Sequence, residues 1–324
     1  MADLGPPRIT SDEEYAHRLG DGAFWEPFAR AAFHTAALDQ PAQLRPARPL
    51  GTYPTFVTGS GLVLKLFGEH WSGSRSHATE LDAYQILEDD GHHLPVPRLV
   101  AAGELFPHAD GWSWPFLIVT KIEGSTYAAL AADLGRAARE RTARDLGRLL
   151  RRLHELPLGG EALAPTWTRF MALLERRRAE GPDDHRRRGL LPSRLCRQLD
   201  DWLPDPHELV DTGGAPRFLH GDLHEDHVFL DPASNRLVGI IDFTDAHAGD
   251  PRYELVALHF GTFQCDTALL AACLDAYGWP ARPATWPRDM LAFTLLHAYN
   301  VFRPDMRLDR FATVDDLADA IWRG

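Results

Sequence analysis

Residues 217–232 read RFLHGDLHEDHVFLDP. Phe218–Leu219 at one end and Val228–Phe229–Leu230 at the other are apolar and predict burial. Between them crowd His220, Asp222, His224, Glu225, Asp226 and His227. A metal site, a proton-transfer site and a polar turn all fit that composition, and the residues that follow narrow the choice. VFLD (228–231) and RLVGIID (236–242) are short β-rich runs separated by the turn formers of PASN (232–235), which predicts an antiparallel hairpin. Its open ends would lie side by side and bring Asp222 and Asp242 together. Paired carboxylates of this kind suit a hard cation such as Mg2+.

A zinc site has less support. His220, His224 and His227 offer imidazoles, and His220-x-Asp222-x-His224 has a faint metallohydrolase look. But HEDH (224–227) lacks the spacing of H-E-x-x-H, and no cysteine joins the set. Upstream, Lys65 lies in the strand-like VLKLF (63–67), and Glu80 follows on the next helix. A lysine on a sheet, a glutamate on a helix and a downstream pair of aspartates are the parts that phosphoryl transfer requires. The lysine holds the α- and β-phosphates, the glutamate orients the lysine, one aspartate accepts the hydroxyl proton and the other holds the metal. Each signal alone is weak, and their order carries the reading.

The rest of the chain reads as two lobes. TSDEEYAHRLG (10–20) predicts a helix with Ser11 as N-cap, Glu14 completing a capping box and Gly20 as stop. GAFWEPFARAAFHTAALD predicts a second helix packed through Phe24, Phe28 and Phe33, so that residues 11–38 are helical. After the proline-rich QPAQLRPARP, TFVTGSGLVLKLF (55–67) predicts a hairpin turning at Gly59–Ser60–Gly61. In SHATELDAYQILEDDG, Glu80, Ala83, Tyr84 and Leu87 share one helix face, with an end near Gly91. WPFLIVTKIEG predicts a buried strand, and beyond Gly124 helical periodicity dominates, as in the Leu146, Leu149, Leu150, Leu153 stripe. The expected domains are therefore 1–123 and 124–324, with a ligand cleft between them.

Bulk properties limit the function. A chain of 324 residues with 44% hydrophobic and 25% charged content predicts a globular protein with a large core. No apolar run approaches the ~18 residues of a membrane span, and MADLGPPRIT has neither the basic start nor the apolar core of a secretion signal. Cys196, Cys265 and Cys273 lack C-x-x-C spacing and read as free thiols of a reducing cytoplasm. A net charge of −12 argues against a nucleic-acid partner and suits a cationic small ligand. Only Lys65 and Lys121 among 34 basic residues are lysine, which hints at a need for a compact ammonium.

HGDLHEDHVFLD followed by IIDFTDAHAGDPRYEL resembles the aminoglycoside phosphotransferase branch of the protein-kinase-like fold. FWEPFAR, VLKLFGEHW, DWLPD, DFTD and LAFTLLH extend the similarity towards the hygromycin B 7″-O-phosphotransferases. The resemblance implies an α+β, two-lobed protein with a β-rich N-lobe and a helical C-lobe. It also implies Mg2+ and ATP, with GTP as an open alternative, and an aminoglycoside substrate. Carried over by position, Asp222 is the implied catalytic base, Asp242 the Mg2+ ligand, Lys65 the phosphate-binding lysine and Glu80 its ion-pair partner. GTYPTFV (51–57) takes the place of the nucleotide-covering loop, with Gly51, Thr52 and Thr55 as phosphate contacts, and Thr120 and Ile122 lie at the adenine edge. His220 reads as structural, bonding nearby backbone. The family pattern has asparagine where this chain has His227, and an imidazole is a poorer partner for Mg2+. Weak ligation by His227, substitution by Asp226 or water, and loss of a second metal site are the open outcomes.

Residues 242–275 hold Asp242, Asp245, Asp250, Glu254, Asp266 and Asp275 against Arg252. Asp245, Asp250 and Glu254 are the expected contacts to a polyamine substrate, and GPDDHRRRG (181–189) an expected loop near the acceptor. A monomer in the cytoplasm is expected. The alternatives are a small-metabolite kinase of the choline, fructosamine or methylthioribose class, and a catalytically weak nucleotide-binding protein limited by His227.

Overall fold

The computed structural model describes residues 4–89, 94–108 and 111–323. The chain divides into two compact units, Met1–Glu123 with Gly239–Asp245, and Gly124–Val238 with Ala246–Gly324. A split into 1–123 and 124–324 treats the chain as two consecutive pieces and omits the return of 239–245 to the first unit.

The first unit is built on an antiparallel sheet of order β1-β2-β3-β5-β4. Its strands are β1 (Leu44–Pro46), β2 (Thr55–Thr58), β3 (Leu62–Leu66), β4 (Leu99–Glu104) and β5 (Pro115–Thr120). β2 and β3 form the hairpin, with Gly61 at φ 79° in its turn. β1 lies in the proline-rich stretch not read as a strand, and its place at the sheet edge is where proline is tolerated. β4, LVAAGE, was also missed, because its Ala-Ala-Gly centre has none of the β-branched residues that mark strands. Leu64 and Leu66 of β3 are buried, so alternation along the strand turns Lys65 to the other face. There Lys65 pairs with Thr55 of β2 and Leu117 of β5.

Two helices, Asp12–Arg18 and Gly22–Thr35, precede the sheet. Ser11 Oγ caps the first by accepting the Glu14 amide at 3.1 Å. The Glu14 carboxylate bonds Thr10 rather than closing a box on Ser11. Tyr15, Trp25, Phe28 and Phe33 are buried, whereas Phe24 is half-buried under the Arg18 guanidinium. The helix carrying Glu80 spans Gly73–Asp89, and its expected end near Gly91 lies outside the described residues. The returning segment is seated by the Ile240 amide on the Pro95 carbonyl at 3.0 Å. Gly239 permits this approach, since a Cβ there would stand 2.9 Å from Ile122 Cγ2 and 3.0 Å from the Pro95 carbonyl.

In the second unit the helix Arg136–His154 buries Leu146, Leu149, Leu150 and Leu153 and packs on Thr267–Tyr277. Small sheets carry the loop quoted at the outset: β6 (Ser125–Thr126) with β8 (Val228–Leu230), and β7 (Arg217–Leu219) with β10 (His247–Gly249). After β8 the chain turns into β9 (Leu237–Ile240), whose last two residues belong to the first unit. Asp231 closes the β8–β9 turn by accepting from the Ser234 amide and hydroxyl at 2.7 and 2.6 Å. The expected loop at 181–189 is instead the end of the helix Thr168–Arg188, stopped by Gly189 in the left-handed region. Arg186 on Asp183 and Arg188 on Asp184 supply the helical charge pairing that outweighs its Gly-Pro start. Among the described residues no helix is long and apolar enough to cross a membrane.

Burial holds the imidazoles of His259 and His297 down, to about 4 and about 3. An unfolded histidine titrates near about 6.5, so as pH falls the unfolded chain takes up these protons first. The stability contributed by neutral burial is complete above about 6.5 and drains away as pH falls towards the folded-state values. We expect the thermal midpoint to drop between pH 7.5 and 5, with His259 alone costing on the order of 2 kcal/mol at pH 5. In His259→Gln this slope, followed by differential scanning fluorimetry, should flatten; an unchanged slope would acquit His259.

Candidate active site

In the first unit, Lys65 Nζ donates to Glu80 Oε2 at 2.9 Å and to Asp242 Oδ1 at 3.0 Å. The three side chains come from β3, the helix Gly73–Asp89 and the returning segment. Only 14% of the Lys65 side chain and 4% of the Glu80 side chain are exposed, so the ion pair is shielded from water. Burial alone would push the ammonium towards neutrality, but Asp242 and Glu80 override it and hold its pKa above the usual lysine range. Glu80 is raised by burial and by the Asp242 charge against the pull of Lys65. Its second oxygen accepts the Tyr84 hydroxyl at 3.1 Å, and burial lifts that phenol well above its usual value.

Asp242 stands at φ 72°, a left-handed conformation that aspartate tolerates better than most residues. Thr244 reaches back to it, its hydroxyl on Oδ1 at 2.7 Å and its amide at 3.3 Å. Thr244 and Tyr84 are support residues that functional reading of the sequence passed over. The signals were there, Thr244 two residues after the aspartate and Tyr84 one helical turn after Glu80. As an oxygen donor, Asp242 fits a hard divalent cation.

The second unit carries the Asp222 loop. Gly221 takes φ 83°, which suits glycine. The fully buried His220 accepts the Asp222 amide on Nδ1 at 3.3 Å. The backbone amide of His220 in turn donates to Glu254 Oε2 at 2.6 Å. His227 Nδ1 lies 2.7 Å from the Asp222 carbonyl; a carbonyl only accepts, so that nitrogen carries the proton. His227 fits Mg2+ poorly, because an imidazole nitrogen is all it can offer a hard ion.

Two of the expected substrate residues have partners within the chain. Glu254 is 1% exposed and holds the His220 amide. Burial pushes its carboxyl up, but His154 and His220 beside it hold it below the usual glutamate range. Asp250 caps the helix Pro251–Phe260 through the Arg252 amide and pairs with the Arg252 guanidinium at 2.7 Å. Asp266 likewise caps Thr267–Tyr277, while Asp245 is half-buried beside Thr244 in the first unit. Gly51 and Thr52 are exposed. Thr55 Oγ1 donates to the Tyr53 carbonyl at 2.9 Å, and Thr120 Oγ1 accepts the Arg98 amide at 2.9 Å. Ile122 is half-buried.

A lysine held by a helix glutamate and a downstream aspartate, on an antiparallel sheet followed by a helical unit, defines an α+β, protein-kinase-like architecture. The model of the phosphotransferase enzyme family matches residues 54–290, and the chain belongs to that family. Aminoglycoside 3′-phosphotransferase of Streptomyces fradiae is 32% identical over 159 residues, 47% of this chain and 52% of that protein. Lysine-specific demethylase JMJ21 of Arabidopsis thaliana is 26% identical over 292 residues, 72% of this chain and 30% of that protein. The chain thus spans between about a third and a half of the length of these curated relatives. The GDP complex of aminoglycoside 2′-phosphotransferase-IIIa superposes with a TM-score of 0.59 at 18% identity, covering 84% of this chain and 87% of that one. APH(3″)-Id from Streptomyces rimosus, with ADP and streptomycin, gives 0.54 at 18% identity, covering 84% and 98%. At such identities these structures show the shared fold.

Removing the ammonium should leave the buried Glu80 carboxylate facing the half-buried Asp242 carboxylate with no cation between them. We expect Lys65→Met to destabilise the protein by about 3 kcal/mol, lowering the thermal midpoint by several degrees. Lys65→Met/Glu80→Gln should recover part of that loss. A double variant as unstable as the single one would show that carboxylate repulsion is not the source.

Proposed function

We propose that the chain is an ATP-dependent O-phosphotransferase that inactivates an aminoglycoside or aminocyclitol antibiotic, hygromycin B foremost. The observation that carries this reading is the shielded Lys65 ammonium held between Glu80 and Asp242. In phosphoryl transfer such a lysine offsets phosphate charge and the glutamate fixes its position. Two of the three Lys65 N–H bonds go to carboxylates, so a nucleotide phosphate can engage the third or displace Asp242. In this reading Thr52 and Thr55 lie along the phosphates, and Thr120 and Ile122 along the base. Mg2+ held by Asp242 would neutralise charge on the β- and γ-phosphates.

Asp222 is the residue assigned to the acceptor hydroxyl, taking or orienting its proton. Its amide on His220 and its carbonyl on His227 fix the backbone from which the carboxylate projects. Asp245 is the acid assigned to substrate ammonium groups, and the net charge of −12 favours approach of a polycation. Support for the substrate class comes from the relatives: one neighbour is a complex with GDP and kanamycin, another with ADP and streptomycin. Hygromycin B itself rests on the resemblance of scattered non-catalytic segments such as FWEPFAR and DWLPD. His227, with its imidazole tied to the Asp222 carbonyl, favours the second reading, a nucleotide-binding protein with little turnover.

Incubation with Mg2+, ATP and hygromycin B, kanamycin or choline, followed by mass spectrometry, separates these readings. One added phosphoryl group on hygromycin B is expected. Transfer to choline alone would make the chain a metabolite kinase, and no transfer by the native protein that His227→Asn restores would establish the weak binder. Replacing Asp222 with asparagine should lower the rate by at least about a hundredfold; an undiminished rate would remove it from the chemistry.

A further inference from the structure

We propose that Asp222, His224 and His227 form a binding site for a borderline first-row divalent cation such as Zn2+. One carboxylate oxygen and two imidazole nitrogens would be its protein ligands. Spacing along the sequence argued against zinc for His220, His224 and His227, because HEDH is not H-E-x-x-H; of the three, His220 is fully buried. The fold instead gathers one ligand atom from each of Asp222, His224 and His227 within 4.8 Å of one another.

The geometry is close to what such an ion needs. His224 Nε2 lies 3.7 Å from Asp222 Oδ2, and two ligands about 2.1 Å from a tetrahedral ion stand about 3.4 Å apart. A few tenths of an ångström of side-chain rotation closes that gap. The two imidazoles are already juxtaposed, their ring centroids 4.1 Å apart. Their side chains are 31% and 16% exposed, and that of Asp222 22%. The donors are thus reachable from solvent yet partly ordered by the protein.

Tautomer and surroundings also suit a metal. His227 Nδ1, the nitrogen 3.9 Å from Asp222 Oδ2, donates to the Asp222 carbonyl, so ligation would use Nε2 and turn the ring towards the ion. Such a hydrogen bond on the other ring nitrogen is what orients histidine ligands. Around His224 Nδ1, Glu225 Oε2 lies at 3.9 Å and Asp226 Oδ2 at 4.0 Å. Either carboxylate can take the Nδ1 proton when Nε2 binds an ion. The competing contact is the long 3.3 Å bond from the Asp226 amide to the same nitrogen, which ligation would exchange for a charged partner. Two imidazoles and one carboxylate favour Zn2+, Ni2+ or Co2+ over Mg2+, which prefers oxygen.

If Asp222 also serves the acceptor hydroxyl, an ion held there withdraws it from that task. That corollary rests on the phosphotransferase reading; binding does not. The test is calorimetric titration of untagged, chelator-stripped protein with zinc chloride, alone and in millimolar magnesium chloride. One Zn2+ per chain is expected, undisturbed by Mg2+. Affinity should fall by about tenfold or more in His224→Ala and in His227→Asn, and stay unchanged in His207→Ala, an exposed histidine elsewhere. Thermal midpoints of the free variants check that each is folded. No binding, ready displacement by Mg2+, or equal affinity in all three variants would overturn the site. In the transfer assay Zn2+ should then inhibit the native protein. Zinc binding without any measurable transfer would sink the phosphotransferase reading and leave the site standing.

Discussion

Everything in the first unit turns on one ammonium placed between two carboxylates. Glu80 and Asp242 are like charges brought to a common partner, and without Lys65 each would raise the cost of ionising the other. With it, the cluster becomes a structural joint as well as a chemical one. It links the central strand β3, the helix Gly73–Asp89 and the returning segment 239–245. Tyr84 reinforces it from two directions, its hydroxyl on Glu80 and its ring packed edge-on against the buried Phe243. Phe243 is therefore held by packing while Asp242 before it is held by charge. That division keeps Asp242 at a positive φ that few side chains would occupy unaided.

Much of this could be read from residue order, and the limits have physical causes. Lys65 and Glu80 were legible only together, because a strand followed by a helix sets their order and spacing while each residue alone is a weak signal. Tyr84 shared the Glu80 stripe, though its hydrogen bond did not follow from the stripe. β1 and β4 were not legible: Pro-rich and Ala-Gly sequences form strands only when neighbouring strands supply the hydrogen bonds. The helix-capping of Asp250 and the buried amide on Glu254 were not legible, because acidity looks alike in sequence whether a carboxylate awaits a ligand, caps a helix or receives a buried amide. Only burial and partners separate those uses. The stretch 181–189 misled for a related reason, since Gly-Pro reads as a break while the charge pairs beyond it continue the helix.

The Asp222 loop shows how a short polar turn can be made stiff. It has no regular secondary structure to hold it, so each turn of backbone finds a side-chain partner: His220 for the Asp222 amide, Glu254 for the His220 amide, His227 for the Asp222 carbonyl. Glu254 can do this fully buried because Oε2 takes the His220 amide and the His154 and His220 side chains lie beside the carboxylate, offsetting the cost of burial. The glutamate side chain reaches from the helix Pro251–Phe260 to the loop and meets the His220 amide at 2.6 Å.

That stiffness bears on the most unusual residue of the site. An asparagine at position 227 could hold the Asp222 carbonyl with its amide nitrogen and still present an oxygen to a hard ion. Histidine keeps the first half of that arrangement and replaces the second with a nitrogen. In the proposed cation site His227 and His224 set two imidazoles side by side, their ring centroids 4.1 Å apart and tilted by 42°, so that nitrogen rather than oxygen would meet the ion. Asp222 is the one oxygen ligand this cluster supplies. The proton-accepting power of its carboxylate and its affinity for a softer cation draw on the same lone pairs, so strengthening one must come at the expense of the other.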